Sequence, residues 1–541
     1  MADEYDVVIV GAGFAGLYML YRVRQLGLKA HVVERAGDVG GTWYWNRYVG
    51  ARCDVESVDY SYSFSDELQQ EWQWTERFPA QPEILRYIQH VADRFDLRRD
   101  ISFNTEVRSA HFDDSRSRWV LTTEDSRTLI GRYCVMATGG LSTPARPDFA
   151  GLDTFGGDWY QTSLWPHEGV DFSGKRVGVI GTGSSGIQCI PEIAKQAAHL
   201  TVFQRTPNFT LPARNAPLEP DALAEFKRGY AEHRAAARKT KGGIKTRSAG
   251  GSALAVSAEQ RKAAFDEHWA RGGNGITSLF DDLMVDEGAN QLVADYVRDQ
   301  IKSIVKDPDV AALLSPTDHP LGAKRICLDT GYYDTYNRDN VELVNLRARP
   351  IASIDENGIV LSEGRVDLDV IVFATGFDAL TGALLAMDIR GSRGTPLAEA
   401  WSSGPRTYLG LTVAGFPNMF TLAGAGTPAP LTNVVASIEQ QVDWVSDCLA
   451  WMKEHGIARV EADGAAQDAW VEHVFAAAEK TLMMRASSWY LGANIPGKPR
   501  VFMPYVGGLD GFDAILQDVA HDGYRGLAMT LLAVADGAVA S

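Results

Sequence analysis

Two glycine-rich turns, each set between an apolar run and a helical pattern, hold the residues best suited to do chemistry in this chain. Gly11, Gly13 and Gly16 stand in VVIVGAGFAGLYML, and Gly181, Gly183 and Gly186 stand in VGVIGTGSSGIQCI. Each apolar run reads as a buried parallel strand. The glycines permit a tight turn and a close pyrophosphate, and the helix N-terminus that follows faces the phosphates. Around the second turn, Thr182, Ser184, Ser185 and Gln188 belong to the same binding surface. One such spacing is also what any tightly packed strand-to-helix turn needs. Two of them, each with its own strand, helix and ribose-end residue, imply two dinucleotides in one enzyme.

The next strands end in opposite charge. KAHVVERAG closes on Glu34, a carboxylate placed to accept hydrogen bonds from the ribose of an unphosphorylated adenosine, which fits FAD. HLTVFQRTP closes on Gln204 and Arg205. No acid ends that strand to repel a phosphate, and a guanidinium can bind one bidentately, which fits NADPH.

The elements that position these residues are those of an α/β protein with two Rossmann-like dinucleotide-binding domains and a helical insertion in the NADP domain. A chain of 541 residues is too long for one core. The expected division is 1–142 for the first part of the FAD domain, 143–217 for the first part of the NADP domain and 218–315 for the insertion. Residues 316–384 then complete the NADP domain, and 385–541 return to the FAD domain. Ala137–Gly139 and Ala374–Gly376, both ATG, end the two nucleotide units at matching places. The stretch KTKGGIKTRSAGGSA in the insertion reads as mobile from its composition.

Charge and cysteine usage narrow the class. The formal charge of −17 disfavours nucleic acid and anionic membrane surfaces. With no basic and apolar leader and no membrane span, a cytoplasmic protein is expected. The five cysteines are scattered and form no CxxC pair, which argues against a flavin disulfide reductase and against a metal site.

With these residues placed, the chain resembles the single-component flavin-dependent Baeyer-Villiger monooxygenases, most closely the phenylacetone and steroid monooxygenase branch. The carriers include GGTWYWNRYVGARCDVES, FQRTP, AKR, YYDTYNRDNVELV, FATGFDALTGAL, GPRTYLGL and SSWYLGANIPGKPRVFMPYVGG, spread over nearly the whole chain. Two family fingerprints are met with one departure each. Gln161 stands where histidine is usual, beside Phe155, Gly157, Trp165 and Pro166, and Val49 replaces proline among Gly41, Trp43, Tyr48, Gly50 and Asp54. Glutamine can donate and accept hydrogen bonds but does not titrate near neutrality.

The resemblance implies NADPH- and O2-dependent oxidation of ketones to esters or lactones through a C4a-peroxyflavin, with sulfoxidation as a side activity. Arg325 matches the family's active-site arginine, and Asp54 the carboxylate that pairs with it. Gly41, Thr42 and Trp43 match flavin neighbours. Arg205, Thr206 and Lys324 match the group around the 2'-phosphate of NADP, and Trp489 matches a mobile-loop tryptophan that reaches the NADP ribose. Pro430, Leu431 and Val434 correspond to a pocket-lining bulge. The expected partners are a small-molecule ketone and O2, in a monomer or weak oligomer. A flavin monooxygenase oxidising sulfur or nitrogen is the nearest rival, and a non-catalytic NADPH-sensing flavoprotein a more distant one.

Overall fold

The apolar run before the first glycine turn forms β1 (Asp3–Val10), followed by α1 (Phe14–Gln25), β2 (Ala30–Val33) and, further on, β3 (Thr128–Met136). The computed structural model describes residues 3–531. β1 lies between β2 and β3 and runs parallel to both, with Val10 level with Val33 and with Met136. Val7, Val8 and Ile9 are fully buried because both faces of the sheet are covered, which is why the strand reads as an unbroken apolar run. Two strands of this eight-stranded sheet come from late in the chain. Asp388–Arg390 pairs with Val107–Asp113, and Met419–Thr421 pairs with β3.

The second parallel sheet contains β4 (Arg176–Ile180), β5 (His199–Gln204), β6 (Val341–Asn345) and β7 (Val370–Phe373), with α2 (Ser184–Ala194) following β4. Its order is β6-β5-β4-β7, with Asp158–Gln161 on the far side of β7. Between β5 and β6 the insertion contributes five α-helices, from Pro220–Arg228 to Pro308–Leu314. It enters and leaves this insertion through two short parallel strands, Thr210–Pro212 and Cys327–Asp329. Val293, Val297 and Ile301 of the insertion share a core with Val177 and Val179 of β4, so the insertion is part of the packing around this sheet.

The long helix α3 (Val434–Glu454) packs back on α1, where the Tyr18 hydroxyl donates to Asp443 at 2.7 Å. The stretch expected to be mobile is pinned at several points: Ala249 N–H to the Leu279 carbonyl at 2.8 Å, Gly251 N–H to Asp281 at 3.0 Å, and Ala253 N–H to Asp282 at 2.9 Å. Its composition describes a loop, and two aspartates distant in sequence give that loop its shape.

The matched ATG triplets have a physical reason. Gly11 and Gly181 both adopt left-handed backbone, φ 105° and 111°, and a Cβ on either would lie 2.5 Å from a carbonyl oxygen, that of Ala137 or of Ala374. The small-residue turn closing each unit therefore rests on the first glycine of its own fingerprint.

Candidate functional site

One cavity is lined by Glu34, Gly11, Gly13, Gly41, Thr42 and Trp43 and also by Arg325, Pro430, Val434 and Trp489. The first of these groups has the chemistry of an FAD cradle. Gly13 caps α1, whose first N–H groups point into the cavity, and Gly16 has no room for a side chain because its Cβ would strike the Gly11 carbonyl. The Glu34 carboxylate is buried at the end of β2 and accepts from Ala12 N–H at 2.6 Å and Ala36 N–H at 2.7 Å. Burial raises its pKa and those two N–H groups oppose the rise. A carboxylate has about four acceptor positions, so the ribose hydroxyls expected there find lone pairs still open. Trp43 is held by its indole N–H on the Tyr60 hydroxyl at 3.0 Å.

The second cradle repeats the first. Gly183 caps α2 with nearly the backbone angles of Gly13, and a Cβ on Gly186 would strike the Gly181 carbonyl. Ser184, Ser185 and Gln188, on the first turns of α2, reach the same cavity, so both dinucleotide sites open onto one space. Two of the expected cofactor contacts are also structural ties. The Thr182 hydroxyl donates to the Thr206 carbonyl at 3.0 Å, fastening the glycine turn to the turn after β5. Gln188 accepts from the Tyr48 hydroxyl at 2.8 Å and donates to the Arg52 carbonyl at 3.1 Å, fastening α2 to the loop of residues 41–54. Gly50 in that loop lies against the Gln188 carbonyl, with 2.3 Å available to a Cβ, which accounts for glycine at that fingerprint position.

Asp54 and Arg325, 271 residues apart, form a two-bond ion pair: Nε to Oδ2 at 2.7 Å and Nη2 to Oδ1 at 2.8 Å. The third nitrogen, Nη1, donates to the Pro430 carbonyl at 2.9 Å. Asp54 raises the arginine pKa further above its already high ordinary value, against the opposing pull of burial. The guanidinium is thus a fixed, permanent cation in the wall of the cavity. Tyr490, adjacent to Trp489, touches it; burial pushes that phenol up to about 12, so it stays protonated.

The cavity wall also carries the apolar residues Phe377, Leu380, Ala383, Met387, Val434 and Ile438. Of the three residues proposed for the pocket, Pro430 and Val434 line the cavity and Leu431 does not. Its side chain turns away and packs with Tyr490, Phe502 and Ala478, because Ala429–Leu431 forms a single tight turn of 3-10 helix that sends successive residues in different directions. Trp489 lies at the cavity edge and packs on Ala379, Leu380, Ala425 and Met503.

Two further departures are structural. Gln161 is buried at the end of its strand and donates to the Ala145 carbonyl at 2.9 Å, a link that a neutral imidazole could also make. Val49 packs into the second core. No acid ends β5, as its sequence reads, but an acid from elsewhere in the chain approaches Thr206 and Lys324. Asp318 lies there, ion-paired with Arg347, and its charge acts on Lys324. It comes from a segment remote from β5, so reading the strand end could not find it. Arg347, Asp318, Tyr60 and Tyr490 are the neighbours that motif reading missed. Only Tyr490 had a local signal, its place beside Trp489.

The five cysteines are free and buried. Cys327, against Ser184 at 3.3 Å, has its thiol pushed up to about 11 by burial. Among the described residues, no cluster of histidine, cysteine, aspartate or glutamate could hold a metal ion, and no helix is long and apolar enough to cross a membrane.

Residues 8–277 match the family model described as pyridine nucleotide-disulphide oxidoreductase. The acetone monooxygenase (methyl acetate-forming) of Gordonia sp. is 42% identical over 97% of this chain and 99% of its own length. The chain belongs to the flavin-dependent Baeyer-Villiger monooxygenase family. Phenazine N-monooxygenase of Lysobacter antibioticus is 41% identical over 97% of this chain and 96% of its own length. A solved structure of oxidized steroid monooxygenase bound to NADP matches with a TM-score of 0.94 and 52% identity, covering 98% of this chain and all of the other. The sequence has no CxxC pair. What this monooxygenase shares with that model is the nucleotide-binding frame. Its cofactors are FAD and NADPH, and its cradles fit both.

Proposed function

We propose that the ketone is bound against Arg325, with Asp54 as the residue that orients the guanidinium, and that ester or lactone forms there. Bound FAD, reduced by NADPH, supplies an oxygen atom taken from O2. Overall, ketone, O2, NADPH and a proton become ester, water and NADP+. The chain's own residues have three tasks. The first is charge: when the carbonyl carbon is attacked, negative charge builds on its oxygen, and a preorganised cation in a water-poor site stabilises that charge far better than water does. Arg325 meets this need without a change of protonation. Asp54 holds the guanidinium plane through two bonds and offsets the cost of burying it.

The second task is exclusion of water, for which apolar lining residues such as Phe377, Leu380 and Val434 are suited. The third is holding the nicotinamide nucleotide, for which Gly181–Gly186, Arg205, Thr206 and Lys324 supply phosphate contacts and Trp489 an indole donor. In this reading residues 1–142 and 385–541 bind FAD, while 143–217 and 316–384 bind NADPH around the insertion of 218–315. The ends of the first and last segments, residues 1–2 and 532–541, lie outside the described residues. We also place the enzyme in the cytoplasm, as a monomer or weak oligomer.

The observation that carries the ketone reading is the Asp54–Arg325 pair, whose guanidinium lies in the cavity wall. The existence of a phenazine N-monooxygenase at 41% identity favours a second reading, oxygenation of nitrogen, with sulfoxidation as a related side activity. One assay separates them. Aerobic NADPH consumption is followed over linear, aryl-alkyl, cyclic and steroid ketones, a thioether and a phenazine, with products identified by mass. Ester or lactone as the main product upholds the first reading, and N-oxide with no ester from any ketone would replace it with the second.

A further inference from the structure

Arg347 lies two residues beyond β6, the strand hydrogen-bonded alongside β5 in parallel register, with Asn345 level with Gln204. The ends of β5 and β6 therefore deliver Arg205 and Arg347 to the same edge of the sheet, the edge where ligands of parallel α/β sheets sit. The Arg347 Nη2 group donates to the Thr206 hydroxyl at 3.2 Å and is ion-paired with Asp318. Asp318 also contacts His319 Nδ1 at 2.7 Å. Lys324 is close enough to Arg205, Arg347 and Asp318 for all three charges to act on it. Burial lowers the pKa of His319 and favours its neutral form. The ionised groups here are then Arg205, Lys324 and Arg347 against Asp318. Their balance of two positive charges matches a phosphate monoester, which carries about −1.5 to −2 near neutrality.

We propose that Arg347 is a third cation for the 2'-phosphate of NADPH, and that Asp318 is a counter-ion which this phosphate displaces from it. The inference rests on the assignment of Arg205, Thr206 and Lys324 to that phosphate. Guanidinium binds carboxylate and phosphate through the same paired N–H groups, so one anion can replace the other without moving the arginine far. Asp318 holds Arg347 beside Thr206 when no phosphate is bound, and it repels the phosphate when one arrives. Its two effects have different signatures: removing Arg347 weakens binding of the phosphate, and removing the Asp318 charge strengthens it.

The test uses the FAD-loaded enzyme and measures binding of adenosine 2',5'-bisphosphate and of 5'-AMP by calorimetry, with no turnover involved. Arg347→Leu is expected to weaken the bisphosphate at least tenfold and to leave 5'-AMP within twofold. Asp318→Asn is expected to tighten the bisphosphate about threefold or more without changing 5'-AMP. The second variant has the opposite sign, so general damage to the fold cannot imitate it. Arg205→Ala is the control for the site itself. If it loses the preference for the bisphosphate while Arg347→Leu keeps it, the third-cation role is wrong and the site assignment stands. If Arg205→Ala also keeps the preference, the 2'-phosphate binds elsewhere and both fall. An Asp318→Asn variant that binds the bisphosphate more weakly than the parent overturns the counter-ion role.

Discussion

Arg325 commits all three of its nitrogens to two partners that are far apart in the chain: Nε and Nη2 to the Asp54 carboxylate, and Nη1 to the Pro430 carbonyl. Pro430 is one of the residues lining the cavity, so the cation is attached to the wall of the space in which the substrate is proposed to lie. The same three contacts fix the plane of the guanidinium within that wall.

Replacing Arg325 by alanine should separate the two halves of the cycle. Reduction of bound FAD by NADPH, followed anaerobically as loss of yellow colour, should persist. Ester formation should fall about 100-fold or more, the usual cost of losing one preorganised donor to a developing oxyanion, with oxygen diverted to hydrogen peroxide. The double variant Asp54→Ala, Arg325→Ala should be hardly worse than Arg325→Ala alone, since Asp54 acts through the arginine. Ester at near-native rate from Arg325→Ala would remove this residue from the mechanism.

The two glycines that cap α1 and α2 offer a selective probe. Gly183 has ordinary backbone angles and no atom within 4 Å of where a Cβ would stand, so Gly183→Val should fold, keep FAD and bind NADPH more weakly. Gly13→Val should give colourless protein, since its side chain would point toward Gly41 in the flavin cradle. By contrast, Gly11→Ala meets a carbonyl at 2.5 Å and a left-handed backbone, and should lower the melting temperature itself. Flavin absorbance, NADP+ binding and thermal melting together distinguish the three outcomes.

Gln161 keeps a neutral hydrogen bond to the Ala145 carbonyl, so Gln161→His should alter rate or coupling only modestly, within about fivefold. Gln161→Leu should cost roughly 1 kcal/mol of stability, as for loss of one buried hydrogen bond, and lower the melting temperature. A parent enzyme without activity that Gln161→His restores would show that the site needs an imidazolium.

His268 is buried in the insertion, and burial lowers its pKa to about 4. An unfolded histidine titrates near 6.5, so between these values the unfolded chain binds the proton and the folded one does not. Stability is unaffected above about pH 6.5, falls as the pH drops through the window, and levels off below about 4. The loss is at most roughly 3 kcal/mol by the pKa difference. Melting temperatures of the parent and His268→Asn, compared at about pH 7.5 and about pH 5, should show a smaller acid-induced drop in the variant. Equal drops would mean that the other histidines carry the effect.

Local patterns in the chain were enough to reveal both nucleotide units. A buried parallel strand must be continuously apolar, a turn over a pyrophosphate must be glycine, and the strand-end residue faces the ribose. Glu34 and the Gln204–Arg205 pair could be picked out as candidates for the same reason, as each follows its fingerprint at nearly the same distance. Tertiary structure alone decided what meets what. The resemblance already pairs Asp54 with Arg325, but Gln188 becomes a tie between α2 and the 41–54 loop, and Leu431 turns from the cavity into a neighbouring core while Pro430 and Val434 stay in it. Asp318 and Arg347 are the clearest case. One comes from just after the helical insertion and the other from beyond β6, and neither carries a motif. Parallel pairing of β6 with β5 places Arg347 beside Thr206, and the strand-end reading of β5 could not include an acid delivered by another part of the chain. Sequence periodicity records the burial of each element and the demands of its turns. It does not record which loops the sheet order brings to a common edge, and at that edge Arg347, Asp318 and Thr206 meet.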